Sequence, residues 1–301
     1  MDILVTGASG FVGGRLAGAL VAQGHDVRAM TRNPDRYHGA GRAVRADVGD
    51  ADSLEQALSG ADVAYYLVHS LDSDDFERRD AEAALSFGAA ARTAGVGRIV
   101  YLGGLGAEDP TELSPHLRSR RIVEGLLGAG GVPVTTLRAA IVVGHGGVSW
   151  EITRQLVKRL PLMVTPSWVS TTTQPVALDD AVRCLVAAAD GTDTERAVLE
   201  IGGADVLTYG EMLTRAAHIM HGRPLPILTV PLLTPRLSSL WITLVTDVNN
   251  TTSRHLVESM SEPVYVRGTN FAEAVVGAPM GYDEMVVAAL AERADRSARA
   301  D

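Results

Sequence analysis

Gly7, Gly10 and Gly13 follow the apolar run Ile3-Leu4-Val5 at intervals of three and precede the helical pattern Arg15 to Val21. Glycines so spaced suit a pyrophosphate. The first permits a tight turn, the second lets backbone approach phosphate oxygens, and the third lets helix and strand pack closely. The start of the helix adds unpaired N–H groups and the positive end of its dipole. Ser9, Phe11 and Val12, interleaved with the glycines, share the assignment. Strand, turn and helix come in the order that a dinucleotide site requires, so a dinucleotide is the expected ligand.

A second constellation is His116 and Arg120, four residues apart behind Ser114-Pro115. Serine as N-cap and proline at the first helical position predict a helix start, and the spacing puts both side chains on one face. A histidine, with an unperturbed pKa of about 6.5, can exchange protons near neutrality. Here the helix end and Arg120 both favour neutral imidazole. A neutral ring still polarises a carbonyl by donating a hydrogen bond. The same pair could instead bind cofactor or shape a cleft.

These residues need a frame, and the first half of the chain supplies one by alternating strand and helix patterns. Strands are predicted at 26–31, 42–46, 62–68, 98–102 and 132–138, with helices at 53–58 and 75–94. The expected fold is α/β, a Rossmann-type doubly wound parallel sheet with a smaller C-terminal substrate lobe. The nucleotide domain spans 1–145 and the lobe 146–301, with about 174–202 returning to the first domain. From Gly144 the texture changes to a glycine loop, an amphipathic helix from Trp150 to Leu160, and repeated prolines. Asp179 and Asp180 read as helix caps, and Thr208 with Glu211 as a capping box. The apolar, proline-broken stretch 225–245 is core between lobes, an apolar substrate pocket or a membrane-facing patch.

Composition narrows the partners. A net charge of -9 without a basic stripe argues against nucleic acid. The single cysteine, Cys184, lies in an apolar helical pattern and reads as a buried thiol. His69, His145, His218 and His221 show no metal-ligand spacing, so no metal is expected. No apolar run is long enough for a membrane span, and the first strand begins at the N-terminus, so a cytoplasmic protein is expected.

The order Thr6-Gly7-Ala8-Ser9-Gly10-Phe11-Val12-Gly13, then Met30 to Pro34, Ala46-Asp47-Val48, Leu137-Arg138-Ala139 and Gln174 to Ala177 resembles the atypical and extended short-chain dehydrogenase/reductases. More narrowly, it is similar to the NmrA-like, nucleoside-diphosphate-sugar-epimerase-like group over residues 1–220. The resemblance implies that Asp47 and Val48 lie beside the adenine and that Leu67, Val68 and His69 run beside the riboses. NAD enzymes of this kind place a carboxylate after the second strand to hold the ribose 2′-hydroxyl. Thr31 and Arg32 stand there instead. An arginine pairs with a 2′-phosphate, so NADP(H) is expected over NAD(H), with Arg15 a second candidate.

The family catalyst is a Tyr-x-x-x-Lys pair with a serine after the fifth strand. Gly103-Gly104 occupies the serine position, His116 and Arg120 fall in the tyrosine and lysine slots, and Lys158 is the sole lysine. Two functions follow. One is an NADP(H)-dependent oxidoreductase with an unusual catalytic set acting on a small apolar substrate. The other is a non-catalytic NADP(H)-binding regulator, redox sensor or assembly factor. Sugar-nucleotide epimerisation depends on the missing tyrosine and lysine and ranks below both. The enzyme reading is preferred.

Overall fold

Strands buried on both faces and joined by amphipathic helices can pair only in parallel through crossovers, and that sequence pattern sets the architecture. The computed structural model describes residues 1–70, 73–189, 197–229, 246–247 and 250–300. The first half runs β1 (Asp2–Val5), α1 (Phe11–Ala22), β2 (Asp26–Thr31), β3 (Arg42–Arg45), α2 (Ala51–Leu58), β4 (Val63–Tyr66), α3 (Phe76–Thr93), β5 (Arg98–Gly104), α4 (Pro115–Leu127) and β6 (Val134–Ala139). There follow β7 (Val142–Val143), α5 (Val148–Arg159), β8 (Met163–Thr165), β9 (Thr172–Thr173), β10 (Val176–Ala177), α6 (Leu178–Ala189) and β11 (Ala197–Ile201). Beyond these come β12 (Leu207–Thr208), α7 (Tyr209–His221), β13 (Ile227–Thr229), α8 (Asn250–Ser259), α9 (Phe271–Val276) and α10 (Tyr282–Ala300).

Seven strands form one parallel sheet in the order β11-β6-β5-β4-β1-β2-β3. The order reverses between β1 and β4, the switch point where a crevice opens beyond the strand ends. On one face Leu16, Ala17 and Leu20 of α1 pack with Cys184 and Leu185 of α6 and with Tyr65 and Val100 of the sheet. The Tyr65 hydroxyl donates to the Leu185 carbonyl at 2.9 Å, fixing α6 to β4. Cys184 is the buried thiol expected, its pKa pushed up to about 12 by loss of water. Leu54 and Leu58 of α2, Phe87 of α3 and Leu127 of α4 cover the opposite face.

β10 lies outside this sheet, in a two-stranded ladder of its own, whereas β11 belongs to it. β10 pairs with β7, and β11 extends the sheet outside β6. The free edge of β11 is covered in turn. Asn270 bonds both the N–H and the carbonyl of Gly202, and the Glu200 carboxylate accepts the N–H groups of Arg267 and Gly268. A further apolar cluster joins Trp150 and Leu156 of α5, Met212 and Leu213 of α7, and Tyr282 and Val286 of α10.

Several boundaries differ from expectation for local reasons. β6 begins at Val134 because Pro133 has no N–H to give the ladder; its carbonyl instead accepts from Ile99. β5 continues through Gly104, which places both glycines in the ladder with β6. Asp179 and Asp180 lie in the first turn of α6, and buried Asp180 accepts the Met280 N–H at 2.8 Å, anchoring the segment before α10. Thr208 and Glu211 form the capping box. Of the apolar stretch 225–245, Leu225 is buried and Ile227 begins β13, paired with β8; residues 230–245 lie outside the described part.

Candidate functional site

The glycine turn works mainly through close approach. Gly7 has φ +63°, and a Cβ there would come 2.8 Å from the Leu67 carbonyl oxygen. Gly10 is the N-cap of α1 and offers no side-chain cap, so the first-turn N–H groups are left for a ligand. Gly13 lies directly on Gly7, as the third glycine of such a turn must.

A cleft of about 380 Å³ opens beside this turn, lined by Gly7, Ser9, Arg32, Asp47, Val48 and Val68, with His69 at its rim. Arg32 is exposed and its carbonyl accepts from Arg45 at 3.2 Å, which fixes the backbone after β2. Asp47 takes the Gly49 N–H on Oδ1 at 2.9 Å, so it shapes its loop while facing the cleft. Phe11, Val12 and Leu67 pack against the core beneath, and Gly10 and Gly13 form the turn under it. Arg15 is turned away: it pairs with Glu292 of α10, among residues of a different hollow. The composition of the cleft fits a dinucleotide, with a bare helix start for phosphates, Arg32 and Arg79 as cations, and Met30, Val48 and Val68 as apolar patches in a largely polar lining.

Sequence reading missed Asp80. It lies on the cleft wall at 5% exposure, and Oδ1 accepts the Ser70 N–H at 2.8 Å. Burial raises its carboxyl above the usual range, against the pull of Arg120. The signal was in the helix: Phe76, Asp80 and Ala84 share one buried stripe, and an acid on an apolar stripe is a reason to look.

His116 and Arg120 line a second hollow of about 210 Å³, with Gly103, Gly104, Tyr209 and Met260. Ser114 is the N-cap of α4 but makes no capping bond, and its Oγ is buried without a partner. The His116 pKa is lowered well below the ordinary histidine value, first by burial, then by Arg120, and then by His69 and His255. The neutral ring matches expectation, although burial leads the causes. The charge of Arg120 also acts on Asp80 and Tyr66, both in the wall of the glycine-turn cleft. Gly104 admits the helix: a Cβ there would meet Leu117 Cδ2 at 2.8 Å. Tyr66 and Tyr101 are buried, and desolvation raises both phenols, so they remain neutral wall residues. Tyr209 lines the hollow with its ring edge-on to Trp168 at 5.8 Å. Among the described residues no group of three or more histidine, cysteine or acidic side chains could hold a metal, and no helix is long and apolar enough to cross a membrane.

Residues 7–154 match the model of an NAD(P)H-binding family. A (4-alkanoyl-5-oxo-2,5-dihydrofuran-3-yl)methyl phosphate reductase of Streptomyces griseus is 30% identical over 234 residues, 74% of this chain and 75% of that protein. The chain belongs to the NAD(P)H-binding, NmrA-like short-chain dehydrogenase/reductases. Within this family an uncharacterised protein of Mycobacterium tuberculosis is 32% identical over 236 residues, 77% of this chain but 25% of that protein. The chain thus spans about a quarter of the length of the curated relatives it matches at that identity. The triphenylmethane reductase of Citrobacter sp. in complex with NADP(H) shares the fold, with a TM-score of 0.76 and 18% identity over 96% of this chain and 100% of that one. Curated relatives of the chain include reductases.

Proposed function

We propose that this chain is an NADP(H)-dependent oxidoreductase acting on a small apolar carbonyl compound, with His116 and Arg120 in place of the family's tyrosine and lysine. What supports the reading is that His116 and Arg120 line one hollow together, and that the Arg120 charge is felt by Asp80 in the wall of the glycine-turn cleft. The reductase relatives support the reaction class. The turn from Gly7 to Gly13 would hold the pyrophosphate, Arg32 the 2′-phosphate, Asp47 and Val48 the adenine side, and Leu67, Val68 and His69 the riboses. When bound, the nicotinamide supplies or accepts the hydride.

His116, held neutral, donates an N–H hydrogen bond to the carbonyl oxygen, and the proton that completes the alcohol comes from water at the mouth of the hollow. The Arg120 guanidinium offsets the negative charge that gathers on that oxygen in the transition state. The aliphatic walls exclude water and strengthen both effects. Tyr209, Leu256 and Met260, from the C-terminal part of the chain, would supply the far wall. The test is oxidation of NADPH against a panel of aldehydes, ketones and quinones, with His116→Ala alongside. Turnover by the wild type that the variant loses is the expected result; no turnover of any panel member defeats the enzyme reading.

A second reading is favoured by Gly104. With Leu117 Cδ2 2.8 Å from where a Cβ would stand, the usual serine has no room unless Leu117 moves. A chain that gave up serine, tyrosine and lysine together fits a binding protein that reads the NADP(H) pool. That reading requires NADPH to change affinity for another ligand without any turnover.

A further inference from the structure

We propose that the hollow beside Arg120 selects an apolar ligand carrying one anionic head, a carboxylate or a phosphate, with the head on the Arg120 guanidinium. The proposal rests on reading this hollow as the substrate pocket, and it concerns ground-state recognition rather than the reacting oxygen.

Most of the lining is aliphatic, with Leu102, Leu105, Ile141, Leu256 and Met260 around a space of about 210 Å³. Among the described residues Arg120 is the one arginine that lines that space. Elsewhere the chain pairs such cations closely: Arg28 with Asp2 at 2.6 Å, Arg138 with Glu124 at 2.7 Å, Arg154 with Glu151 at 2.7 Å and Arg118 with Glu77 at 3.0 Å. Among the described residues no carboxylate lies within 4.0 Å of Arg120. His116 feels its charge, and the buried Tyr101 hydroxyl donates to the Arg120 backbone carbonyl at 3.3 Å. Asp80, the carboxylate that feels the charge, is held by the Ser70 N–H in the glycine-turn cleft.

A cation drawn partly out of water gains from an anion brought in to meet it. A guanidinium fork offers two parallel donors to carboxylate or phosphate. The aliphatic walls gain only from a hydrocarbon tail. Head and tail are therefore both needed: acetate leaves the walls wet, and a neutral chain leaves the guanidinium unmatched.

The test is calorimetric binding to the full chain, with and without NADPH, of octanoate and octyl phosphate, with octanol and acetate as controls. One charge-assisted pair predicts that an anionic chain binds about 10- to 100-fold more tightly than octanol. R120M should remove that advantage while leaving octanol and NADPH affinity near wild type. R120K, which keeps charge but loses the fork, should fall between them, and it serves alone if R120M does not fold. Octyl phosphate against octanoate identifies which head the fork prefers, and a preference for either fits the proposal. Equal binding of octanoate and octanol overturns it. So does an R120M variant that loses NADPH and keeps octanoate, since the arginine then serves the cofactor ribose. Tight octanoate binding with no turnover of any carbonyl removes the oxidoreductase reading and leaves the anion subsite standing.

Discussion

Gly13 rests so closely on Gly7 that a Cβ at Gly13 would come within 2.2 Å of the Gly7 carbonyl oxygen and 2.7 Å of its carbon. Both obstacles are backbone atoms, so no side-chain rotation relieves the clash. Gly13→Ala should cost about 1–3 kcal/mol in urea unfolding and weaken NADPH binding, because the turn must open. Gly18, in the same helix, has nothing within 4 Å of its missing Cβ. Gly18→Ala should stabilise by about 0.5–1 kcal/mol. Equal effects at the two positions would show that helix propensity, not contact with Gly7, decides.

Cofactor choice rests on Arg32. Removing one charge-assisted phosphate contact, worth about 1.5–3 kcal/mol, predicts a fall of about 10- to 100-fold in NADPH affinity for Arg32→Ala, with NADH little changed. Arg15→Ala is the control, since Arg15 is engaged with Glu292. Calorimetry with both cofactors decides, and a wild type indifferent to the 2′-phosphate removes the assignment.

Turnover tests His116. If its N–H polarises the carbonyl, His116→Ala should lower kcat by about 10²- to 10⁴-fold and leave NADPH affinity nearly intact. An unchanged kcat would reduce His116 to a wall residue.

Acid stability provides a separate check. His116 and His255 are both held below the ordinary histidine range, chiefly by burial. A ring kept neutral when folded takes up a proton on unfolding. Its contribution is therefore complete above the unfolded pKa of about 6.5 and is lost as pH falls toward the folded value. Asp80 and Glu262, whose carboxyls are raised by burial, act with the opposite sign: their contribution is complete at low pH and is lost as pH rises through their folded values. Urea melts at pH 7.5 and 5.5 isolate the histidine part by difference. Wild type should lose more stability on acidification than His255→Gln, and parallel losses would count against the buried neutral ring.

What was legible in the sequence followed from period and glycine. The succession of strands along the chain to β6, the bare start of α1 and the Thr208–Glu211 box all follow from local chemistry that tertiary packing leaves alone. The helix-capping role expected of Ser114 failed at the side chain, because its hydroxyl is buried away from the first-turn N–H groups. Arg15 illustrates another limit. Its place beside the glycine turn suggested phosphate, but Glu292 competes for it from the far end of the chain, a pairing that no local pattern encodes. The second hollow was hidden for the same reason, since Tyr209, Leu256 and Met260 reach it only through the C-terminal packing.

The covering of β11 bears on how copies of this molecule meet. A seven-stranded sheet has two open sides where a strand from another copy could add and begin a fibril. On one, the Asn270 and Glu200 bonds already occupy the hydrogen-bonding groups around Gly202 and hold the 267–270 segment alongside. On the other, β3 is only four residues long and ends in the exposed charges of Arg42 and Arg45. Self-association by lengthening the sheet is thus opposed on both flanks, once by a strap of backbone and once by electrostatic repulsion.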